Sequence, residues 1–288
     1  MKNSLSAKQL EAFYRLCSDK SFSLAAEHLH ITQSALSQRI IKLEQRLNRK
    51  LFIRNQNSVE ITDSGSRLLS YCRVKKGLED ELLNDFNANS SYEVFGSVLI
   101  CSFSSLVRSV IMPCLSGLVC KNPKVQLELR IKELGDLHSE IYRSQADFII
   151  SQEKLSRLEY DNILLGYEEN VLIVPESNQA RHDTILDHNI NDDFTERFLS
   201  INKANKTSSY KRSFVNDIYG IIDGVRLGYG IGVVPLHMLK DKTGIRIEDS
   251  YTALKTPCYL QYKQSTVSSK LHTKIIECLV NNFTSHLH

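Results

Sequence analysis

Residues 23–62 read SLAAEHLHITQSALSQRIIKLEQRLNRKLFIRNQNSVEIT. Leu36, Ile40, Leu43 and Leu47 recur in this stretch at intervals of four, three and four residues, which places four aliphatic side chains on one stripe of a helix. The stripe predicts a side that faces a core. The opposite side carries short polar groups and one branched apolar residue, namely Ser34, Gln38, Ile41 and Gln45, with Ser37 and Lys42 at its margins.

The surroundings of this helix indicate a winged helix-turn-helix. Thr32 is a suitable N-cap, because its hydroxyl can accept a bond from a backbone N–H of the first turn. A shorter helix from Ser23 to about Leu29 precedes it, and His30-Ile31 forms the tight connection. After it, residues 51–54 and 58–61 are typical of two short strands around the polar turn 55–57.

Positive charge is concentrated in the same region. Residues 33–54 hold six basic residues against Glu44 alone, an excess of five, whereas the whole chain has a net charge of +3. Such a cluster suits contact with nucleic-acid phosphates, although a lone amphipathic helix with scattered basic residues would show the same charges. The preceding helix and the following wing favour DNA binding. The basic residues are Arg39, Lys42, Arg46, Arg49, Lys50 and Arg54.

The run AAEHLHITQSALSQRIIKLEQRLNRKLFIRNQNSVEITDSG resembles the N-terminal DNA-binding domain of LysR-type transcriptional regulators. One departure is Asn48, where that family usually has glycine; asparagine also tolerates the left-handed conformation that ends a helix. The resemblance implies a winged helix-turn-helix domain in residues 1–62, a linker helix in 63–91 and an effector-binding domain in 92–288.

Length and composition set wider limits. At 288 residues the chain exceeds one ordinary core, so at least two domains are expected. Without an apolar run near 20 residues or a secretion signal, we expect a cytoplasmic protein with no membrane segment. The seven cysteines show no CxxC and no histidine–cysteine cluster, which favours reduced, mostly buried thiols over a metal site or disulfides and leaves a redox switch as a lesser alternative.

The linker helix is predicted from Thr62-Asp63 to about Asn87, and a polar segment at 87–91 follows it. Its partial apolar seam consists of Leu68, Cys72, Leu78, Leu82 and Phe86. A seam left in water gains by pairing with another helix, and in the family this helix joins two subunits, so a homodimer or homotetramer is implied. Lys75-Lys76-Gly77 interrupts the seam, and packing against the chain's own domains is the alternative.

The second half alternates strand-like and helical segments, which predicts crossover units and a mostly parallel sheet. Predicted strands are 98–101, 125–131, 148–150, 170–174, 198–201, 232–234 and 258–262; predicted helices are 105–119, 133–144, 217–227 and 268–282. The resemblance implies an α/β domain of two lobes, similar to periplasmic binding proteins, with lobe one at 92–165 and 267–288 and lobe two at 166–266. Lobe two looks short of a strand, a helix and a strand between Phe198 and Asp217.

Candidate DNA contacts come from the helix after Thr32 and from the wing. Glutamine can pair with adenine in the major groove and serine can bond several base edges, while arginine and lysine meet phosphates. The resemblance adds an arginine that reaches toward the minor groove. The candidates are Thr32, Gln33, Ser34, Ser37, Gln38, Arg39, Lys42 and Arg54.

Candidate effector contacts follow the first two strands of the second half. Ser102, Phe103, Ser104 and Ser105 open a helix, where N–H groups and hydroxyls favour a carboxylate, although a plain serine cap is the alternative. Glu133 follows the next strand and would suit an amine. An amino acid or a small carboxylate is therefore the expected effector, and the TQSA and SQRI segments resemble a branch that responds to basic amino acids.

Other functions lack a recognisable motif. Residues 228–232 follow a helix and precede a strand, the reverse of a phosphate-binding loop, and no catalytic set, cofactor motif or metal-ligand spacing is evident. An enzyme is the least favoured class. The sequence predicts a DNA-binding regulator controlled by an effector, with a ligand-independent repressor or DNA-organising protein as the alternative suggested by the short second lobe.

Overall fold

The computed structural model describes residues 5–54, 59–86, 94–143, 146–177, 181–202, 210–240, 243–264 and 269–287. Its first part is the predicted winged helix-turn-helix. The elements are α1 (Ala7–Asp19), α2 (Phe22–His28), α3 (Gln33–Leu47), β1 (Phe52–Arg54) and β2 (Val59–Ile61), and the two strands form an antiparallel hairpin. The predicted turn at 55–57 lies outside the described residues.

The apolar stripe of α3 faces the core as predicted. Leu36, Ile40 and Leu43 are fully buried and pack with residues of α1 and α2. Asn48 ends the helix in the left-handed conformation, with φ 48° and ψ 41°, and its N–H bonds back to carbonyls of α3. Asparagine therefore does what glycine does at this position in the family.

Glu44 is a buried carboxylate on the core side of α3. Its Oε1 accepts the backbone N–H groups of Leu51 at 2.8 Å and Phe52 at 3.4 Å, and Lys50 Nζ lies 3.2 Å from Oε2. The side chain ties the end of the helix to the first wing strand. This role was not predicted, since Glu44 was weighed only as a negative charge.

The linker helix α4 (Asp63–Phe86) is one continuous helix, as predicted, and it runs without a break through Gly77. Open space surrounds Gly77, so its missing side chain serves no close approach. Leu68 and Cys72 are buried against the N-terminal domain, whereas Leu82 is 56% exposed and Phe86 78% exposed. The second half of α4 thus presents apolar side chains to solvent.

The second domain alternates strands and helices. Lobe one contains β3 (Gly96–Ser102), α5 (Ser104–Lys121), β4 (Val125–Ile131), α6 (Leu134–Tyr142), β5 (Phe148–Ser151) and α9 (Lys270–Asn282). Lobe two contains β7 (Thr184–Asp187), α7 (Phe194–Ile201), β8 (Lys211–Phe214), α8 (Ile218–Arg226), β9 (Gly232–Pro235) and β10 (Ile245–Ile247). Two long strands, β6 (Tyr160–Pro175) and β11 (Leu254–Lys263), serve both lobes.

The large sheet is not mostly parallel, so that prediction is wrong. β3 pairs in parallel with β4 and β5, but β11 is antiparallel to β5 and β6, and β6 is antiparallel to β9 and β10. The reason is that the chain crosses between the lobes twice in opposite directions. The crossing strands β6 and β11 pair from Leu254↔Asn170 to Lys263↔Tyr160.

Two further predictions for lobe two are wrong. Residues 198–201 belong to helix α7, because Thr195, Phe198 and Leu199 form one buried helical face. The lobe is also not short of elements, since β7, α7 and β8 supply a strand, a helix and a strand before Asp217. The missing strand was overlooked at Thr184–Asp187, farther upstream than expected.

Helix α5 is long and apolar enough, by length and composition, to cross a membrane, although no such run was expected from the sequence. Its Leu106, Val110, Ile111 and Leu115 pack in the core of lobe one together with residues of α9. These contacts identify α5 as a core helix. It includes a π-helical turn at Val107–Ile111.

All seven cysteines are free thiols, and Cys120 is the exposed one. Burial raises the pKa of the Cys17 thiol to about 12 and that of Cys101 to about 12. Thiols with such pKa values are poor nucleophiles at neutral pH.

Glu44→Ala tests the carboxylate inside the N-terminal core. The substitution leaves the N–H of Leu51 without its acceptor, so we expect the free energy of unfolding to fall by about 2 kcal/mol. Urea denaturation followed by circular dichroism measures the change. Glu27→Ala, on the exposed side of α2, is the matched control and should stay within about 0.5 kcal/mol of the parent; equal stability of the two variants would contradict the role of Glu44.

Candidate DNA-binding surface and effector cleft

The start of α3 has the geometry expected of a surface that reads DNA. The Thr32 hydroxyl accepts the N–H of Ala35 at 3.2 Å and lies 3.0 Å from the Ser34 hydroxyl. Gln33, Ser34 and Gln38 are exposed, and Ser37 is half-buried. The cap fixes the first turn, and the polar side chains stand clear of the core.

The basic residues of α3 differ in their exposure to solvent. Lys42 is exposed and Arg39 is half-buried, so both lie at the outer side of the helix. The backbone of Arg54 ends β1, but its side chain lies outside the described part of the structure. Ile41 is 39% exposed, which leaves an apolar group on the same outer surface.

A cleft of about 580 Å³ lies between the two lobes. Phe103, Ser104 and Ser105, at the start of α5, border it from lobe one together with Glu133, which caps α6. Four of the five effector-binding residues predicted from the sequence therefore lie at one site.

Ser102 does not border the cleft. The residue is fully buried, and its hydroxyl donates to the carbonyl of Ile150 on the neighbouring strand at 2.8 Å. Ser102 is the last residue of β3, and its hydroxyl is held against the neighbouring strand and not in the cleft. The prediction that Ser102 contacts an effector does not fit this geometry.

Two contacts join the lobes at the sides of the cleft. Glu133 Oε2 lies 3.1 Å from His188 Nε2, which pairs the end of β4 with the end of β7. The Arg108 guanidinium lies 3.9 Å from the centre of the Tyr219 ring, linking α5 to α8. Burial raises the pKa of Tyr219, and the charge of Arg108 opposes that rise.

A buried polar chain crosses the junction beneath the cleft. Glu168 Oε1 lies 2.8 Å from His237 Nε2, and His237 Nδ1 lies 2.7 Å from the Ser109 hydroxyl. Gln152 Nε2 donates to Glu168 Oε2 at 3.0 Å. Ser109 belongs to lobe one, Glu168 to a crossing strand and His237 to the turn after β9, so this chain connects all three parts.

The order serine, histidine, carboxylate is that of a hydrolase triad, but its placement differs. Glu168 borders the cleft, whereas Ser109 and His237 are not among the residues that do so. The serine hydroxyl is bonded to the Ser105 carbonyl and to the imidazole. It acts here as a hydrogen-bonding link between helix α5 and the imidazole.

The wall of the cleft in lobe two is built on a buried ion pair. Arg212 Nε donates to Asp187 Oδ2 at 2.6 Å, and the Thr195 hydroxyl donates to Oδ1 at 2.6 Å. Asp187 and Thr195 both border the cleft. Sequence reasoning missed these residues and the Glu168–His237 pair, because the partners lie 25 and 69 positions apart and no local pattern marks them.

Family comparisons agree with this architecture. The model for bacterial regulatory helix-turn-helix proteins of the lysR family matches residues 7–66, and the model for the LysR substrate binding domain matches residues 93–284. The HTH-type transcriptional regulator HdfR of Yersinia pestis (strain Pestoides F) is 31% identical over 163 residues, which cover 55% of this chain and 53% of HdfR. The match therefore spans about half the length of the curated relatives.

Solved structures share the fold along almost the whole chain. ArgP from Mycobacterium tuberculosis has a TM-score of 0.75 at 20% identity, covering 98% of both chains. Full-length LysG from Corynebacterium glutamicum, solved with the bound effector arginine, has a TM-score of 0.69 at 19% identity and covers 98% of this chain and 99% of its own. Since the two family models account for both domains, this chain belongs to the LysR family of bacterial regulatory helix-turn-helix proteins.

Proposed function

We propose that this protein is a cytoplasmic transcription regulator that binds double-stranded DNA through α3 and the wing and responds to a small molecule held between its lobes. The observation that carries the proposal is the capped start of α3, with Gln33, Ser34 and Gln38 exposed above a buried apolar stripe. Side chains so placed can reach base edges in a major groove.

Charge at this surface supports the same function. Glu44 is turned inward, where it accepts backbone N–H groups and pairs with Lys50. Its negative charge is therefore withdrawn from the surface on which Arg39 and Lys42 lie. The outer side of α3 is more positive than its composition indicates, and this favours phosphate contacts.

Paired variants of α3 test the DNA-binding surface. Lys42→Gln should weaken binding to every sequence and lower the slope of log K against log salt by about 1, because one phosphate contact is lost. Gln38→Ala should cost about 1–3 kcal/mol at the preferred site only. Fluorescence anisotropy on a duplex selected from random sequences, and on its scrambled form, measures both effects.

Lys121→Gln, at the far end of α5, is the charge-matched control and should bind like the parent. If Lys42→Gln and Gln38→Ala also bind like the parent, α3 is not the recognition helix.

The second half of α4 supports assembly into a homodimer or a larger homo-oligomer. Leu78, Leu82, Leu83 and Phe86 are each about half exposed or more. Burying such side chains against a second copy of the same helix removes apolar surface from water. Two recognition helices would then address two half-sites of one DNA site.

Leu82→Asp tests this surface. The carboxylate cannot be buried in an apolar helix pair, so we expect a lower mass by light scattering at micromolar protein. Leu158→Asp, which replaces a leucine that is 95% exposed in the second domain, should leave the mass unchanged. An unchanged mass in Leu82→Asp would remove α4 from the interface.

For the effector we propose an amino acid or a small carboxylate whose anionic group binds at Ser104 and Ser105. Phe103, the N-cap of α5, has no side chain that accepts from the first turn, so backbone N–H groups at this end of the helix are suited to an anion. LysG, which shares the fold, was solved with arginine as its effector. The ligand-independent alternative was suggested by a short second lobe. That reason no longer holds, because lobe two contains the elements that were expected to be missing.

Thermal melting against a panel of amino acids and small carboxylates tests the cleft. At least one compound should raise Tm, as any ligand of the folded state does, and Ser104→Ala should reduce that shift. Ser116→Ala, whose exposed hydroxyl donates to the carbonyl of Pro113 within α5, is the matched control. A shift that survives unchanged in Ser104→Ala would place the ligand elsewhere.

A further inference from the structure

The crossing strand β6 places two buried acceptor groups beneath the cleft. Glu168 is 1% exposed and Asn170 is fully buried, yet both border the cleft. Being two residues apart on one strand, they lie on the same face of the sheet. The floor of the cleft is thus polar although its side chains are buried.

The amide of Asn170 has one unpaired atom. Its Nδ2 donates to the carbonyl of Leu254 at 3.2 Å and to the Thr256 hydroxyl at 3.3 Å, with the carbonyl of Glu168 at 3.4 Å. Turning the amide over would press Oδ1 against two carbonyl oxygens, so the hydrogen-bond network fixes its orientation. Oδ1 then has no donor within the part of the chain that the structure describes. A buried acceptor without a donor is unfavourable, and a donor on a ligand would relieve it.

Glu168 presents a carboxylate beside this acceptor. It accepts from His237 Nε2 and Gln152 Nε2, and within the described ranges no lysine or arginine contacts it. The side chains that contact this carboxylate in the described part of the chain are thus an imidazole and an amide.

Ser109 contacts the other nitrogen of the imidazole. Its hydroxyl donates to the Ser105 carbonyl at 2.5 Å and lies 2.7 Å from His237 Nδ1. His237 is therefore held between Ser109 and Glu168, which fixes the position of the imidazole beside the carboxylate.

The other charged residues that border the cleft are also mostly negative. Five carboxylate residues border it against two lysine or arginine residues. Of these two cations, Lys132 is paired with Glu140 at 2.8 Å, and of the carboxylates Asp187 is paired with Arg212 at 2.6 Å. The carboxylates are Glu133, Glu168, Asp187, Asp192 and Asp193.

We infer that Glu168 and Asn170 form a subsite for a positively charged N–H donor of the effector, an ammonium or a guanidinium, and that His237 is a positioning residue for Glu168. This inference rests on the proposed effector cleft and names the part of the ligand that the floor selects. The matching ligand has its carboxylate at the start of α5 and its cation at β6.

Calorimetric titration of the full-length protein with matched pairs of ligands tests the subsite without any mutation. L-arginine is compared with L-citrulline, and L-lysine with L-norleucine, because each pair differs mainly in the terminal charge. At least one cation should bind more than ~10-fold tighter than its neutral partner, since a charge-assisted hydrogen bond is lost in the neutral compound. The arginine and lysine arms distinguish guanidinium from ammonium.

Variants then assign the residues. Glu168→Gln keeps the shape and an acceptor but removes the charge, so the cation should lose ~10-fold or more in affinity while its neutral partner is unchanged. Asn170→Leu should also weaken the cation. His237→Leu should weaken it, and His237→Gln, which can still donate to Glu168, should restore part of the loss.

Three outcomes overturn the subsite. They are equal binding of the charged and neutral partners, a cation preference that Glu168→Gln leaves intact, and failure of both arginine and lysine to bind. If small carboxylates still bind and Ser104→Ala reduces their binding, the subsite falls while the proposed effector cleft stands.

Discussion

The backbone ladder between β6 and β11 is the constraint on which the second domain depends. The two strands pair over ten positions, from Leu254↔Asn170 to Lys263↔Tyr160, and each continues from one lobe into the other. Both lobes are therefore built on the same pair of strands. The paired strands form the floor of the cleft, and each wall is formed by different segments of the chain.

The buried carboxylates Glu44 and Glu168 have different surroundings. In the N-terminal domain the buried carboxylate of Glu44 is paired with N–H groups of its own chain, and the surrounding core is apolar. At the cleft floor, Asn170 leaves an acceptor unpaired and Glu168 depends on a histidine. A fully paired buried network stabilises one conformation, whereas in the inferred subsite a ligand would complete a partly paired one. This contrast separates a structural acid from acceptors that suit a binding site.

Sequence predicted those parts of the molecule whose signals are local. The stripe of Leu36, Ile40 and Leu43, the cap at Thr32 and the serines after β3 each depend on neighbours within one turn or one strand. Phe198 was assigned to a strand, because a short apolar run does not distinguish a strand from a buried helix turn. Ser102 was expected to contact an effector, but its side chain is buried, and the residue after it, Phe103, is the first that borders the cleft. The pair of Glu168 with His237 is created by the crossing strands and has no counterpart in sequence spacing.

Ion pairs connect α4 to lobe one within the chain. Arg143 and Asp63 lie 3.8 Å apart with both side chains more than half exposed, and Arg73 and Glu128 lie 3.7 Å apart. An exposed ion pair such as the first contributes roughly 0–1 kcal/mol and is screened by salt. A cavity of about 330 Å³, bordered by Tyr14, Arg73 and Lys124, lies between α1, α4 and the edge of lobe one. In the proposed function an effector acts by changing how copies of the protein are arranged, which in turn sets the spacing of their recognition helices.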